Sequence, residues 1–336
     1  MANPASGKDI RRLVGEATTV STQDKIGILR RLLQGLAAAG VERVLLMPDE
    51  RRMARQAVQT RSQGAYPLPR IEWLDMTCVG TAEDSAHAAA CLREDRAGCI
   101  IVLGGDGTAR SVSRNAGDIP LLPLSTGTNN VLPTFTEATI AGLAAGAVAR
   151  GQVSLGAAAI RHKWLEVFVD GQPRDRALVD LALLRGRFTG ARAVWSADGL
   201  LEVVVTRADP ATIGLSAVAG VLQPLAPDEP RGLAVTLDPA ASRRVLAPLG
   251  PGLLLPLGIA AVRELAVGKT LRLPVNEPVM VALDGERELA LTPGQELTVR
   301  LRADGPWIID SSRVMHEMVR LRLLDRDTDT TGGDAS

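Results

Sequence analysis

The sequence predicts a two-domain protein, in which a doubly wound α/β domain precedes an all-β, sandwich-like domain. The 336 residues suffice for two domains, each with its own core. In the first half, short apolar runs alternate with helical segments, whereas in the second half apolar residues recur at every second position. We place the α/β domain at residues 1–150 and the β-rich domain at 151–310, followed by a C-terminal helix at 311–326 and a disordered polar tail at 327–336.

The first half contains four short apolar runs that we predict to be strands. Between the second and third runs, Thr81 and Asp84 have capping-box spacing and open an Ala-rich helix. Repeated βα units of this length favour a parallel sheet whose ligands bind beyond the carboxyl ends of the strands. The predicted strands are Val44–Met47, Ile71–Leu74, Cys99–Leu103 and Pro120–Leu124.

The second half has the patterning of short antiparallel strands. Two alternating apolar runs each end in an Asp-Gly pair, Asp170-Gly171 and Asp284-Gly285, and this dipeptide is typical of two-residue hairpins. Helical spacing returns at the C-terminus, where Val314, Met318 and Leu321 fall on one stripe. We therefore predict a sandwich, with a final helix that packs back on the first domain.

Composition excludes several classes of function. There are 38 basic and 38 acidic residues and only 3 Phe, 4 Trp and 1 Tyr, so neither a basic footprint nor aromatic stacking platforms are available for nucleic acid. The 3 cysteines show no CxxC pair, which argues against disulfides and structural zinc. We find neither a signal peptide nor a membrane span, and we expect a cytoplasmic protein that forms a homo-oligomer.

The most informative segment, Leu103–Thr108 (LGGDGT), directly follows a predicted buried strand and opens a helix. Its three glycines let backbone amides approach an anion at a helix N-terminus. Asp106 stands among these amides, where a bound phosphate would repel it unless it takes a proton or a cation. The segment therefore predicts a phosphate site with a chemically active carboxylate.

A second polar loop, Ser125–Asn130 (STGTNN), follows the next predicted strand. Taken alone it is explained equally well as a turn with a helix cap. Loops after adjacent parallel strands converge on one crevice, however, so the pair favours a shared nucleotide site.

These motifs resemble the superfamily that joins NAD kinases with diacylglycerol and sphingosine kinases. The first loop matches its GGDGT motif, the segment Asn3–Lys8 (NPASGK) looks like its NPxSG phosphate loop, and Asp284–Glu286 looks like the lipid kinases' DGE. The whole arrangement is most similar to the acetoin-catabolism protein X branch of the ATP-NAD kinases. In that superfamily a strand precedes the first loop, so we expect either a shortened strand or an in-frame segment before Met1.

The resemblance implies roles for individual residues. Asp106 would act as the catalytic base or as a metal-linked carboxylate, and Asp180, Asp284 and Glu286 are second-rank candidates for the acceptor or a metal. For Asp284 and Glu286, a plain hairpin turn explains the motif as well. The residues implied to bind nucleotide or phosphate are Asn3, Ser6, Gly7, Gly104, Gly105, Gly107, Thr108, Ser125, Thr126, Gly127, Thr128 and Asn129.

From this resemblance we expect an ATP- and Mg²⁺-dependent kinase whose acceptor is the adenosine ribose 2′-hydroxyl of NAD, giving NADP. NAD kinases hold adenosine with an Asn-Glu pair, and Val179 and Asp180 occupy the comparable positions here. Two alternatives remain open: a kinase for another small hydroxyl compound or a lipid, and a nucleotide-binding accessory protein of acetoin catabolism without turnover. In each case the partners are small-molecule nucleotides rather than nucleic acids or membranes.

Overall fold

A computed structural model of the protein describes residues 20–59, 66–126, 130–186 and 199–325. The helices are α1 (Thr22–Ala38), α2 (Met53–Gln59), α3 (Ala82–Glu94), α4 (Asp106–Ser113), α5 (Ala138–Ala149), α6 (Leu155–Ala158), α7 (Leu215–Gly220) and α8 (Ser311–Arg320). The strands of the first half are β1 (Arg43–Leu46), β2 (Arg70–Trp73), β3 (Ile100–Gly104), β4 (Leu121–Ser125) and β5 (Ala159–Arg161). The remaining strands are β6 (Trp164–Val169), β7 (Gln172–Ala177), β8 (Asp180–Arg185), β9 (Leu200–Val205), β10 (Arg231–Leu237), β11 (Arg244–Gly250), β12 (Leu253–Ala266), β13 (Thr270–Leu273), β14 (Val279–Leu283), β15 (Glu286–Leu291), β16 (Leu297–Arg302) and β17 (Trp307–Ile309).

Strands β3 and β4 pair in parallel at the centre of the first domain and are covered on both faces. Alternate side chains of β3 enter different cores: Ile100 and Val102 pack with α3 and α4, whereas Leu103 packs with α1 and α5. This two-sided burial explains why the sequence is apolar at every position there, and it confirms the α/β class of the first domain.

The first domain contains two sheets among the described residues, where we predicted one continuous sheet. Strands β1 and β2 form a parallel pair, and β3, β4, β17 and β5 form a separate four-stranded sheet. A cavity of about 350 Å³ lies between β1 and β3, with side chains of α1 and α5 completing its wall. Helix packing therefore links the two sheets where no described strand pairing does.

Helices α1 and α5 cross at unusually close range because glycines face each other. A Cβ atom at Gly35 would lie 2.2 Å from the carbonyl oxygen of Thr139, and one at Gly142 would lie 2.4 Å from that of Leu32. Any larger residue would push the backbones apart. Ser21 caps α1, since its hydroxyl accepts from the amide of Asp24.

The β-rich domain is a sandwich, as the alternating pattern predicts. One sheet has seven strands in the order β11-β12-β10-β9-β8-β14-β15, and the other has four in the order β13-β16-β6-β7. Both Asp-Gly turns have positive φ at each residue, 53° and 73° at Asp170-Gly171 and 50° and 77° at Asp284-Gly285. These values are those of the tight hairpin turns that the dipeptide indicates.

Two strands lie in the first sheet although their residues fall inside the predicted 151–310 domain. Strand β17 pairs in parallel with β4, and β5 pairs with β17 in antiparallel register. The pairing is long-range, and neither three-residue strand carries a local signal for its sheet.

The C-terminal helix docks on the first domain as predicted. Val314 and Met318 are buried in the core that α1 and α5 share. The helix ends at Arg320, earlier than the predicted limit of 326, and Leu321 lies past its end with an exposed side chain. The predicted disordered tail at 327–336 lies outside the described residues. No helix in the described ranges is long and apolar enough to cross a membrane.

Candidate active site

The two predicted loops begin side by side at the carboxyl ends of β3 and β4. Gly104 and Ser125, the last residues of the two strands, are paired in register. Gly105 then caps α4, whose first residue is Asp106, while Ser125 and Thr126 are buried at the start of the second loop. The structure thus brings the GGDGT segment and the start of the STGTNN segment together, as the parallel-sheet argument predicts.

Close packing explains the glycines of the first loop. A Cβ atom at Gly104 would lie 2.6 Å from the Cβ of Thr108, and one at Gly105 would lie 2.7 Å from Oδ1 of Asn130. Asn130 in turn donates to the hydroxyl of Ser125 at 2.8 Å. The two loops therefore touch through Asn130, and substituents at these glycines would separate them.

Asp106 joins the first loop to the segment after the second. Its Oδ2 accepts from the amide of Val131 at 2.9 Å, and its Oδ1 accepts from the amide of Leu132 at 2.8 Å. The side chain is buried. Each carboxylate oxygen that accepts one amide has a second lone pair, so positioning the loops and accepting a proton are compatible roles for this residue.

Asp284 holds backbone amides in the β-rich domain, as Asp106 does in the first domain. Its carboxylate accepts from the amides of Leu178 and Val179 at 3.0 and 2.7 Å and is buried below the hairpin turn. Burial raises the pKa of Asp284 to about 7, against the lowering influence of the nearby Arg110 guanidinium. The motif is therefore more than an exposed turn, because its Asp fixes the backbone between β7 and β8.

Arg110 is a site residue that the sequence analysis missed. Its guanidinium is buried and lies 3.0 Å from Asp175, 3.5 Å from Asp284 and 3.6 Å from Glu286. The Glu286 carboxylate also lies next to the first loop, since a Cβ at Gly107 would be 2.7 Å from its Oε1. The available signal was the spacing: Arg110 follows Asp106 by four residues and so lies on the same face of α4.

Asp180 and Val179 lie on the same junction between domains. Asp180 is the first residue of β8, is buried, and donates its backbone amide to Asp284 Oδ1 at 3.3 Å. The Val179 side chain packs with Ala109, Val131 and Leu132 of the first domain. Val179, which the sequence resemblance compares with the Asn of the NAD kinases' pair, therefore makes an apolar contact here.

The described part of the site contains no carboxylate cage for a metal. Across the described residues, no group of three or more His, Cys, Asp or Glu side chains is arranged to hold an ion. The carboxylates of Asp106 and Asp284 accept from backbone amides. The described residues thus form no all-protein cage for Mg²⁺, and we derive no step through the ion. Magnesium carried by nucleotide phosphates is part of the substrate.

Several predicted site residues lie outside the described ranges. These are Asn3, Ser6 and Gly7 of the N-terminal loop, and Gly127, Thr128 and Asn129 of the second loop.

The two loops lie at adjacent strand ends of the first domain, and the β-sandwich is joined to that domain where Asp284 meets Arg110. This fold and site define an NAD kinase-like protein. Residues 23–153 match the model of the ATP-NAD kinase N-terminal domain, and residues 163–304 match that of the acetoin catabolism protein X C-terminal domain. The chain belongs to the acetoin catabolism protein X family: it is 40% identical to the protein of that name from Cupriavidus necator over 333 residues, 96% of this chain and 92% of that protein.

The fold is also found in a solved kinase structure. Yeast NADH kinase complexed with NADH superposes with a TM-score of 0.51 at 16% identity, over 90% of this chain and 86% of that one. At this identity the likeness shows the shared fold.

Proposed function

We propose that the protein is a phosphotransferase that uses ATP, supplied as its Mg²⁺ complex, to phosphorylate the adenosine ribose 2′-hydroxyl of NAD. The observation that carries the proposal is the Gly104–Ser125 register, which joins a glycine loop and a polar loop at one crevice beside Asp106. The NAD kinase-like fold and family support the same reaction.

The chemistry needs positioning more than covalent help from the protein. Backbone amides of the glycine loop and the N-terminus of α4 would bind the phosphates. The ribose hydroxyl oxygen attacks the γ-phosphorus, a new phosphorus–oxygen bond forms, and the bond to the β,γ-bridging oxygen breaks to release ADP. Asp106 accepts the proton that the hydroxyl loses.

The test is an acceptor screen with purified protein, ATP and Mg²⁺, in which NAD, NADH, small polyols and diacylglycerol are compared. We expect NADP to form from NAD. Asp106→Asn removes the proton acceptor and is expected to lower the rate by about 100-fold or more. Asp118→Asn is the matched control, because Asp118 is exposed and pairs with Arg161 at 2.8 Å away from the crevice.

A nucleotide-binding accessory role is the second candidate, and one observation favours it. Val179 packs into an apolar cluster where NAD kinases hold adenosine with Asn. Under this alternative the protein would bind ATP or NAD in calorimetry while no acceptor in the screen is phosphorylated. That result would contradict the kinase proposal and leave the fold assignment intact.

A further inference from the structure

Arg207 lies just beyond the end of β9, where the chain leaves the β-rich domain's larger sheet. The preceding residue, Thr206, is buried and anchors this exit: its amide donates to the carbonyl of Val179 at 2.9 Å, and its hydroxyl donates to that of Leu178 at 2.6 Å. The position of Arg207 is thus fixed against the segment that Asp284 holds from the other side.

That segment connects Arg207 to the first domain. Leu178 and Val179 pack in one apolar cluster with Val131 and Leu132, the two residues whose amides bind Asp106. Thr206 binds the carbonyls of the same Leu178–Val179 segment. A continuous set of contacts therefore brings Arg207 to the β-rich domain's side of the Asp106 carboxylate.

The charges around Arg207 agree with this placement. Burial lowers the pKa of the guanidinium, and the acids that oppose this effect are Asp106 first and then Asp209. On the other side, the positive charge of Arg207 contributes to lowering the pKa of the buried His162. The charge of Arg207 therefore interacts with both the candidate catalytic carboxylate and the His162 ring.

Arg207 differs in its partners from Arg110, another arginine of the junction. Arg110 has three carboxylates within 3.6 Å. For Arg207, the described part of the chain supplies no salt bridge within 4.0 Å and no side-chain hydrogen bond. A partly buried guanidinium is poorly solvated and stabilised by an anion, and its planar donors match phosphate.

We propose that Arg207 binds a phosphate group of the nucleotide from the β-rich domain's side, facing the glycine loop across Asp106. The inference rests on the proposed function in one respect, namely that the crevice receives a phosphorylated ligand. A guanidinium there neutralises charge on that ligand and places its phosphate next to the carboxylate. Because Arg207 belongs to the β-rich domain and the glycine loop to the first domain, measuring phosphate binding also tests whether both domains contribute to the crevice.

The experiment measures binding of ATP, tripolyphosphate and adenosine to the wild type by calorimetry, alongside Arg207→Gln, Arg207→Lys and Arg243→Gln. Arg243 is an exposed arginine in the loop between β10 and β11 and serves as the matched control. We expect Arg207→Gln to weaken ATP and tripolyphosphate roughly 10- to 100-fold and leave adenosine unchanged. Arg207→Lys should recover part of the loss, since it keeps the charge without the planar donors. Thermal melting of each variant verifies folding.

The outcomes separate this inference from the kinase proposal. If ATP and tripolyphosphate bind as tightly to Arg207→Gln as to wild type, or if the wild type binds neither, the inference is wrong. If Arg207→Gln loses polyphosphate binding while wild type forms no NADP, the Arg207 site stands and the NAD kinase proposal fails. A loss of adenosine binding equal to that of ATP would also overturn the inference, because it would indicate a general disruption of the crevice.

Discussion

Arg110 and Asp175 form a buried ion pair that joins α4 of the first domain to β7 of the sandwich, with 3.0 Å between Nη1 and Oδ2. The two side chains are 3% and 10% exposed. Asp175 also accepts from Arg114 at 2.7 Å. The junction between the domains thus contains buried charges that depend on one another.

Replacing Arg110 with Met is expected to lower the free energy of unfolding by about 3–5 kcal/mol, because the buried Asp175 carboxylate would lose a buried guanidinium partner. Urea denaturation measures the change. The matched control is Arg185→Met, which breaks an exposed pair with Glu277 at 2.9 Å and should cost about 1 kcal/mol or less. Equal costs for the two variants would contradict the assigned role of the buried pair.

The pH dependence of stability should contain two opposing contributions. The pKa of Asp284 is raised to about 7 in the folded protein, so between about pH 4 and 7 the folded state holds a proton that the unfolded state has lost, and stability falls as pH rises. The pKa of His162 is lowered to about 3, mainly by burial, so its contribution is present above about pH 6.5 and is lost as pH falls towards 3.

Single variants should separate these two contributions. Asp284→Asn should make stability rise more steeply between pH 4 and 6.5, whereas His162→Gln should make it rise less. Both variants lose stability at every pH, since each alters a buried polar group, so the informative quantity is the slope of unfolding free energy against pH. A change in slope of the same sign in both variants would refute the assignment.

The glycines of the first loop should differ in their tolerance of alanine. Gly104→Ala is expected to destabilise the protein and weaken ATP binding, because its Cβ would meet the Cβ of Thr108 at 2.6 Å. Gly107→Ala should fold nearly normally, since the obstacle at 2.7 Å is the end of the flexible Glu286 side chain. Gly156→Ala, with nothing within 4 Å of its Cβ, is the control. The loss of melting temperature and of ATP affinity should be largest for Gly104→Ala, smaller for Gly107→Ala and smallest for Gly156→Ala. A reversed order would rule out steric packing as the cause.

The cavity between β1 and β3 should accept added volume. Ala145 of α5 lines it, so Ala145→Leu is expected to raise the free energy of unfolding by about 0.5–2 kcal/mol. Ala147 of the same helix is fully buried in the core, and Ala147→Leu should lower it by about 1–3 kcal/mol. Urea denaturation of both variants distinguishes an open space from a filled one, and destabilisation by both would argue against the cavity.

Local patterns in the sequence predicted much of the fold. The strand at Cys99–Leu103 is found at Ile100–Gly104, and the turn at Asp284-Gly285 has the predicted geometry, because burial on both faces and positive φ act on neighbouring residues. The addition of β17 to the first sheet was not predictable, since three residues carry no mark of a partner 187 positions away, Ile308 against Leu121.

The candidate site divides in the same way. The glycine loop and Asp106 were found because backbone approach to an anion requires a local motif. Arg110 and the proposed role of Arg207 were not predicted, because each depends on distant groups: Asp175 and Asp284 for the first, and Asp106 for the second. In an arginine-rich chain, residue type alone does not single them out.

The return of β5 and β17 to the first sheet also affects how the chain is made. A ribosome completes the segments for β3 and β4 long before it releases β17, and the whole sandwich is synthesised in between. Domains usually fold in the order in which they emerge. Here the sheet that carries both candidate phosphate loops gains its third parallel strand only after every strand of the sandwich has been synthesised, so this sheet is completed after the sandwich strands are available.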